Sequence, residues 1–516
     1  MQNLEANSTK QIRRGTVVSY LGIMVNIVLG LIYTPWMIRE IGQSDYALYT
    51  LATSIITMFT VDFGMSAAVS RFVSKYRAEN EEQAINNFLG LVYKLYMIIS
   101  AVVLIALLVV YFMLDSIYVS LTPTELSKFK IVFIIAASFS IISFPFVPLN
   151  GILNAYENFV ELKVCDLFNK VGSVAIIAPV LILGGGLYEL VAINALVGLA
   201  TIVIKLLLIK RKTSIHVNFN YFSIITLKEI FNYSIWSTVG SLAQNFLLTI
   251  TPSILAIVSN SKEVAVFGFT NSIGTYIYTL AMGIDGFFLP RVSRMVANKD
   301  DPDSFLKLMI KVGRFQLYIL GLIFVGFILV GKDFVSLLMG DEYRTAYFCV
   351  ICYFSYSVIC YPQQIANTMV IAVNKVKERA LISIVAAIVN VGLSFALSHF
   401  FGAVGSCISI CVAILVRTLL LNIMYQKKLN LNVRKYFREC HLALAPAWIV
   451  AIIISAIIIH LIPLGSWSGF SVKVICIIMV YIISIILLGM NKEEKSIMKS
   501  FLKKIGIQQM HESYYD

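Results

Sequence analysis

Long hydrophobic stretches separated by short polar segments run along almost the whole chain. A stretch of about 20 apolar residues is long enough to cross the hydrocarbon core of a bilayer as a helix. Two of the separations rest on short signals, Gly184-Gly185-Gly186 and the segment from His399 to Gly402. The pattern predicts about fourteen transmembrane helices, near residues 16–38, 46–70, 87–113, 129–152, 160–183, 187–209, 232–258, 265–289, 312–331, 344–373, 379–401, 403–425, 442–462 and 470–490.

The composition supports an all-α integral membrane protein. The 516 residues are 59% hydrophobic and 13% charged, whereas soluble domains carry about 25% charged residues. The eight cysteines all lie in predicted spans or in a basic loop, so we expect no disulfide framework. No small-residue cleavage site closely follows the basic residues Lys10, Arg13 and Arg14, so the first span is predicted to be retained.

The basic residues are distributed unevenly between the two sides of the predicted membrane. The segments placed in the cytoplasm hold 30 of the 41 Lys and Arg residues. Cytoplasmic loops of membrane proteins are enriched in these residues. This bias predicts a multi-pass membrane protein, which we expect in the bacterial inner membrane, with both termini in the cytoplasm. It also accounts for the net charge of +13 without a nucleic-acid partner. The outer segments hold six: Arg39, Lys128, Lys130, Lys262, Lys332 and Arg344.

An internal repeat relates the first six predicted spans to the next six. Pro35 recurs as Pro252, and the pattern that contains Pro145 and Asn150 recurs at Pro362 and Asn367 with the same offset in sequence. Asp62 and Arg71 recur at Asp285 and Arg294 with an offset that is only slightly larger. Because each half has six spans, the halves would be parallel repeats, a plan that often supports alternating access around a central site.

This repeat predicts how the chain is organised. We expect two six-helix bundles followed by two additional helices, with polar segments between and after them. The predicted parts are residues 1–209, the N-terminal bundle; 210–231, a cytoplasmic linker; 232–426, the C-terminal bundle; 427–490, two further transmembrane helices; and 491–516, a basic cytoplasmic tail.

Ionisable residues inside predicted spans are candidates for function, because burial of a charge in the bilayer is unfavourable. Asp62 and Asp285 would either line a substrate or ion pathway or form local pairs that hold helices together. Arg71 and Arg294 would share that pathway or anchor the helices at the cytoplasmic side. Asn26 and Gln244 would line the same cavity or join helices through hydrogen bonds.

Further basic residues at membrane depth would suit an anionic head group such as pyrophosphate, since charge-assisted hydrogen bonds are strong in a low-dielectric site. These are Lys94, Arg291 and Arg417, each of which could equally have a structural role. Lys170 could instead pair with Asp166 four residues earlier on the same helix. For Lys205 we expect a side chain that extends towards the cytoplasm.

No nucleotide-binding loop, catalytic triad or metal-ligand spacing is evident in the sequence. We therefore expect a protein that is not an enzyme and that has no cofactor.

Several short motifs resemble those of the Wzx-type polysaccharide flippases, which belong to the multidrug/oligosaccharidyl-lipid/polysaccharide exporter superfamily. The resemblance covers about residues 10–430 in pattern, and the span count extends it to the end. The motifs are Ile41-Gly42-Gln-Ser-Asp-Tyr46-Ala-Leu-Tyr49, Asp62-Phe-Gly64-Met-x5-Arg71, the Pro145-x4-Asn150-Gly stretch and Ala155-Tyr-Glu-Asn158.

The resemblance implies a V-shaped pair of bundles around a cationic cavity. It implies that an oligosaccharide linked to undecaprenyl pyrophosphate, such as a repeat unit of O-antigen, lipopolysaccharide or capsule, is flipped from the cytoplasmic to the periplasmic leaflet. A proton or sodium gradient is the expected coupling, and a polysaccharide polymerase and a chain-length regulator are expected partners of a monomer. Family-like positions are Asp62, Arg71, Asp285, Arg291 and Arg294, while Lys94, Lys170 and Arg417 match in depth only.

Two other transport functions remain open at this point. A lipid II flippase of the same superfamily would carry the peptidoglycan precursor. A multidrug extrusion antiporter would favour acidic cavities, whereas the charges at depth here are mostly basic.

Overall fold

The structure, a computed structural model, describes residues 2–60, 62, 64–283, 288–462 and 466–504. Every regular element in these ranges is a helix, which confirms the all-α prediction. Large apolar side chains such as Phe112, Ile457 and Ile483 remain exposed on these helices, as expected for surfaces that face lipid rather than water.

The helices pack into two compact units. The first comprises Met1–Gly283, Phe348–Tyr353 and Val373–Leu421. Its helices are α1 (Gln2–Ile41), α2 (Gln43–Phe59), α3 (Met65–Ala78), α4 (Glu82–Ile117), α5 (Pro123–Ser143), α6 (Leu149–Ala155), α7 (Phe159–Ile182), α8 (Leu187–Lys212), α9 (Ile224–Leu248), α10 (Thr251–Val258) and α11 (Ser261–Met282), with parts of the later helices α14 and α16.

The second unit comprises Ile284–Tyr347, Phe354–Ala372 and Asn422–Asp516. The predicted division at residues 209, 231 and 426 follows the sequence repeat rather than these units, and it stays a prediction. The remaining helices are α12 (Leu289–Ala297), α13 (Pro302–Met339), α14 (Ala346–Cys360), α15 (Gln364–Ala372), α16 (Val376–Lys428), α17 (Val433–Phe437), α18 (Ala443–His460), α19 (Trp467–Ser484) and α20 (Lys492–Lys504).

Ten helical segments of the described residues are long and apolar enough to cross a membrane, so the chain is a multi-pass membrane protein. The predicted count of about fourteen is not confirmed. The span predicted at 46–70 is broken between α2 and α3, the one at 344–373 is divided into α14 and α15, and α11 carries many polar residues. The spans predicted at 379–401 and 403–425 both lie in α16, which consists of two helical parts separated by a kink at the non-helical Gly402, where the sequence predicts the split.

The repeat seen in the sequence recurs in the order of local structure. A short 3₁₀ turn at Phe144–Phe146 leads into α6, and another at Tyr361–Gln363 leads into α15, at the spacing that separates Pro145 from Pro362. After these helices, Glu157 and Asn374 both adopt a left-handed backbone, with φ of 58° and 57°. Proline within each 3₁₀ turn removes a backbone donor and favours the break at this point.

The backbone of α16 leaves the helical conformation at Gly402, where φ is 53° and ψ is −133°. The carboxylate of Glu263, in the first turn of α11, accepts a hydrogen bond of 2.7 Å from the backbone N–H of Ala403. A Cβ atom at position 402 would overlap that carboxylate. Position 402 therefore favours glycine for two reasons, the left-handed backbone and the absence of space.

A core of large side chains joins α3, α4 and α6 in the first unit. Tyr96 and Phe144 are buried, and their ring centroids are 5.2 Å apart. Gly151 on α6 lets that helix approach α3 closely, since a Cβ there would lie 2.5 Å from the backbone oxygen of Ser66. This core fixes the position of the segment that precedes α7.

In the second unit, buried charges are satisfied within the protein. Arg314 on α13 is 3% exposed, and its guanidinium donates two hydrogen bonds, of 2.6 and 2.8 Å, to the carboxylate of Glu494. It also donates to the backbone oxygens of Glu439 and Gly489, at 2.6 Å each. One arginine thus connects α13 to the segments on either side of α18 and α19 and to the start of α20.

Arg314→Ala should lower the free energy of unfolding by about 3 kcal/mol, because it leaves the partly buried carboxylate of Glu494 and two carbonyl groups without their donor. Denaturant unfolding of the purified protein in detergent would measure this change. The matched control is Lys311→Ala, which removes an exposed cation from the same helix. Equal stabilities of the two variants would contradict the structural role of Arg314.

Candidate functional site

A polar cavity of about 550 Å³ lies within the first unit, between α1, α7 and α8. Three lysines and one aspartate line it together with neutral polar groups, so positive charge exceeds negative charge. The lining residues are Gly22, Ile23, Asn26, Phe139, Lys163, Asp166, Leu167, Asn169, Lys170, Gly198, Thr201, Ile202, Lys205 and Thr279.

Helical periodicity explains why α7 supplies most of the charge. Lys163, Asp166 and Lys170 are separated by three and four residues, so their side chains lie on one face of the helix. Lys170 is about 10 Å further along the helix axis than Lys163, given a rise of roughly 1.5 Å per residue. The face therefore carries charge over two turns.

Asp166 is the centre of an ion-pair network. Its carboxylate lies 3.6 Å from Nζ of Lys163 and 3.5 Å from Nζ of Lys205 on α8. Lys205 also donates a hydrogen bond of 3.0 Å to Oδ1 of Asn150 on α6. The side chain of Lys205 is 13% exposed and lies against two oxygen acceptors. Its extension towards the cytoplasm stays a prediction.

Lys170 has a different environment from the other two lysines. The predicted ion pair with Asp166 on the same helix is absent from the described structure, because Asp166 is paired with Lys163 and Lys205. Lys170 is half-buried at the cavity wall and makes no ion pair within the described residues. A cation in this position is available to a negatively charged ligand, and a low local dielectric would strengthen that contact.

Neutral polar groups complete the cavity wall. Asn169 on α7 donates a hydrogen bond of 3.1 Å to Oγ1 of Thr201, which in turn donates to the backbone oxygen of Val197. Asn26 on α1 and Thr279 on α11 face the same space. Amide and hydroxyl groups of this kind can bind phosphate oxygens or sugar hydroxyls.

Of the nine predicted pathway residues that the structure describes, Asn26 and Lys170 line this cavity. Asp62 lies between α2 and α3, and its carboxylate accepts hydrogen bonds from the N–H and Oγ of Ser66, at 3.2 and 3.0 Å, and from the hydroxyl of Tyr96, at 3.1 Å. The interpretation of local pairing therefore describes Asp62 better than an unpaired cavity group. Its negative charge also lies at the N-terminus of α3, where the helix dipole favours it.

Three other predicted residues lie elsewhere in the first unit. Lys94 on α4 donates a hydrogen bond of 3.1 Å to the backbone oxygen of Tyr221, so it holds the segment between α8 and α9. Arg71 is exposed on α3, and Gln244 is half-buried on α9. None of these three side chains lines the polar cavity.

The last four predicted residues are divided between the units. Arg417 on α16 belongs to the first unit, and its buried Nε has no hydrogen-bond partner among the described residues. Arg291 and Arg294 are exposed on α12 in the second unit. Asp285 lies outside the described residues, so its predicted role stays a prediction.

Sequence reasoning missed the network of Lys163, Asp166, Lys205 and Asn150. The regular spacing of charged residues along α7 was a usable signal for a charged helix face. Contacts from α8 and α6 depend on tertiary packing and have no such local signal. No cluster of three or more metal-binding side chains occurs in the part of the chain that the structure describes.

Comparisons with solved structures identify the fold. The chain is similar to the lipid II flippase MurJ in its inward closed conformation, with a TM-score of 0.67 at 13% identity, covering 93% of this chain and 98% of that one. It is also similar to an inward-facing multidrug resistance MATE transporter of the MOP superfamily, with a TM-score of 0.65 at 14% identity, covering 80% and 99%. A MOP superfamily transporter from Pyrococcus furiosus gives a TM-score of 0.60 at 13% identity, covering 84% and 96%.

The sequence comparisons are more specific about the family. No curated protein matches the chain significantly. The family model described as "Polysaccharide biosynthesis protein" matches residues 12–296, which is more than half of the chain and includes all of the polar cavity. The chain therefore belongs to the polysaccharide biosynthesis protein family and has the fold shared by MurJ and the MATE transporters.

Proposed function

We propose that the protein is a flippase that moves an oligosaccharide linked to undecaprenyl pyrophosphate from the cytoplasmic to the periplasmic leaflet of the bacterial inner membrane. The observation that carries this proposal is the polar cavity with its three lysines and one aspartate. Membership of the polysaccharide biosynthesis family and the transporter fold support the same reaction class. The mechanism would be alternating access, coupled to a proton or sodium gradient.

The cavity suits the charged part of such a lipid. Lys170 makes no ion pair within the described residues and would bind a phosphate oxygen directly. Asp166 now lies at ion-pair distance from Lys205 and Lys163. Both lysines would bind the phosphate group if it displaced the Asp166 carboxylate. Asn26, Asn169 and other neutral groups of the wall would accept or donate hydrogen bonds to phosphate or sugar.

Asp166 gives the cavity a way to release its ligand. In the absence of an anion, the carboxylate balances one of the two positive charges and gives the largely buried Lys205 an ion-pair partner, whereas Lys163 is 46% exposed. A bound pyrophosphate would compete with Asp166 for those lysines, which weakens binding relative to a purely cationic cavity. Transport requires a ligand that leaves, so moderate affinity favours turnover.

Other predicted residues would contribute to the pathway or to ion coupling: Arg71, Asp285, Arg291, Arg294, Arg417 and Gln244. Asp62 and Lys94 would instead hold their segments through the local hydrogen bonds described above. Both chain termini would face the cytoplasm, and the protein would act as a monomer. A polysaccharide polymerase and a chain-length regulator would use the flipped product, which would be a repeat unit of O-antigen, lipopolysaccharide or capsule.

Lys170→Ala should lower the rate of lipid-linked oligosaccharide transport at least tenfold, which corresponds to about 1.4 kcal/mol of lost interaction. The measurement is accessibility of a fluorescent lipid-linked oligosaccharide to an external quencher in proteoliposomes. Lys170→Arg should retain most of the activity, because it keeps the cation. The control Lys210→Ala removes an exposed cation near the end of α8 and should leave the rate unchanged.

The cargo decides between this function and its alternatives. Transport of lipid II in preference to other lipid-linked glycans would establish a peptidoglycan role instead. Export of organic cations, with no movement of lipid-linked oligosaccharide, would establish drug extrusion. Transport of the oligosaccharide lipid at equal rates by the unmodified protein and Lys170→Ala would remove the polar cavity from the mechanism.

Asp166→Asn should bind inorganic pyrophosphate about fivefold more tightly, a change of about 1 kcal/mol, because the competing carboxylate is gone. Titration calorimetry with the protein in lipid nanodiscs would measure it. Asp115→Asn is the matched control, since it removes the exposed partner of Lys130 in the same unit. Unchanged or weaker binding by Asp166→Asn would show that Asp166 does not compete with the anion.

A further inference from the structure

A second cavity of the first unit has the opposite chemistry. It measures about 610 Å³ and lies between α9 and α16. Its nine lining residues carry no polar side chain: Val239, Leu242, Ala243, Phe246, Ile384, Ala387, Ile388, Val391 and Gly392. Ile388 is 67% exposed, so the cavity reaches the surface of the unit, where hydrocarbon surrounds a membrane protein.

The two cavities occupy equivalent positions in the two sequence repeats. The offset that separates Pro35 from Pro252 also relates four members of the polar cavity to four members of the apolar one. Members of α1 correspond to residues on α9, and members of α7 correspond to residues on α16. The matched pairs are Gly22 with Val239, Asn26 with Ala243, Leu167 with Ile384, and Lys170 with Ala387.

The charged residues that α7 contributes to the polar cavity have uncharged counterparts on α16. In the order of the chain, Lys163, Asp166 and Lys170 correspond to Ala380, Ser383 and Ala387. Ala380 and Ser383 are each 2% exposed, and the hydroxyl of Ser383 donates to the backbone of its own helix. The same architecture therefore forms a charged site in one repeat and an apolar site in the other.

One end of the apolar cavity carries a cation and an aromatic ring. Nζ of Lys377 lies 5.0 Å from the ring centroid of Trp236, and the lysine is exposed. Trp236 precedes Val239 by one helical turn, and Lys377 precedes Ile384 by two turns, so both lie on the faces that line the cavity. This end points towards the N-termini of α9 and α16, which the charge distribution predicts to be cytoplasmic.

An apolar groove that ends in a cation matches an amphiphile with a hydrocarbon chain and a negatively charged group at the end of that chain. A zwitterionic or neutral lipid would gain less from Lys377. Trp236 adds an amphipathic ring between the apolar groove and the charged end at Lys377, as tryptophans often do at membrane interfaces. The predicted cytoplasmic location places this end in the leaflet where the proposed substrate begins.

We propose that the groove between α9 and α16, with Lys377 and Trp236 at its end, is the docking site for the isoprenoid chain and adjoining phosphate of the lipid-linked substrate. The chain stays in the apolar cavity while the polar head moves into the cavity that contains Lys170. This inference rests on the proposed flippase function and adds to it a separate site for the lipid chain. Two equivalent positions of the repeat would thus bind different parts of one lipid, the hydrocarbon chain in one and the polar head in the other.

The test uses Trp236 as a reporter in the full chain, with Trp36, Trp448 and Trp467 replaced by Phe, in phosphatidylcholine nanodiscs. Geranylgeranyl pyrophosphate should change the Trp236 fluorescence at concentrations at least tenfold lower than inorganic pyrophosphate does. Ala387→Phe should weaken the response to the isoprenoid tenfold by filling the cavity. Ala243→Leu fills it from the opposite helix and serves if the first variant folds poorly.

Val102→Phe is the control, because it introduces the same aromatic side chain at an exposed position of α4, a helix that contributes no lining residue to either cavity. Equal responses to the isoprenoid by the unmodified chain and both filled variants would overturn the docking site. Displacement of the isoprenoid by phosphatidylglycerol at equal concentration would overturn it as well, by showing a general anionic lipid site. The flippase proposal can fail separately from the docking site. In that case oligosaccharide transport would be absent, while the Trp236 fluorescence would still respond to the isoprenoid.

Discussion

Charged groups inside a membrane protein need a partner, because lipid supplies neither hydrogen bonds nor counter-ions. This requirement accounts for most of the polar contacts described above. Arg314 is surrounded by a carboxylate and two carbonyl groups, and Lys473, which is 1% exposed, lies 3.0 Å from Asp333. Against this background, a half-buried lysine that makes no ion pair within the described residues is a candidate to bind a negatively charged ligand. Lys170 has that property at the wall of a cavity large enough for one.

The need of charged groups for partners can also produce a binding site, and Asp166 is an example. Two lysines share one carboxylate at 3.5 to 3.6 Å, distances longer than a direct charge-assisted hydrogen bond. The arrangement satisfies the charges without fixing them in one geometry. A competing anion can therefore replace the carboxylate with little rearrangement, which is what a carrier needs at each turn of its cycle.

The sequence predicted the helical membrane fold because hydropathy and helix length are local properties. The breaks before α6 and α15 fall at the recurring prolines Pro145 and Pro362, although the spans predicted there are continuous. The number of spans was harder to predict, since the break between α2 and α3 and the polar composition of α11 do not follow a simple apolar run. For the site, Lys170 and Asn26 could be named from their depth alone. The pairing of Asp166 with Lys205 could not be predicted from the sequence, because it depends on how α7 packs against α8. Lys170, four residues after Asp166 on the same helix, was the simpler partner to predict.

The turn at Gly402 has a mechanical consequence. One carboxylate from the beginning of α11 holds the backbone of α16 beside Gly402, where α16 leaves the helical conformation, and the two segments are too close there to admit a side chain at position 402. If α11 moved away from this corner, the backbone N–H of Ala403 would lose its hydrogen-bond acceptor, and a membrane-spanning region offers few others. The corner should consequently travel with α11 as a single rigid piece, so that displacement of one helix is passed to both arms of the bent segment.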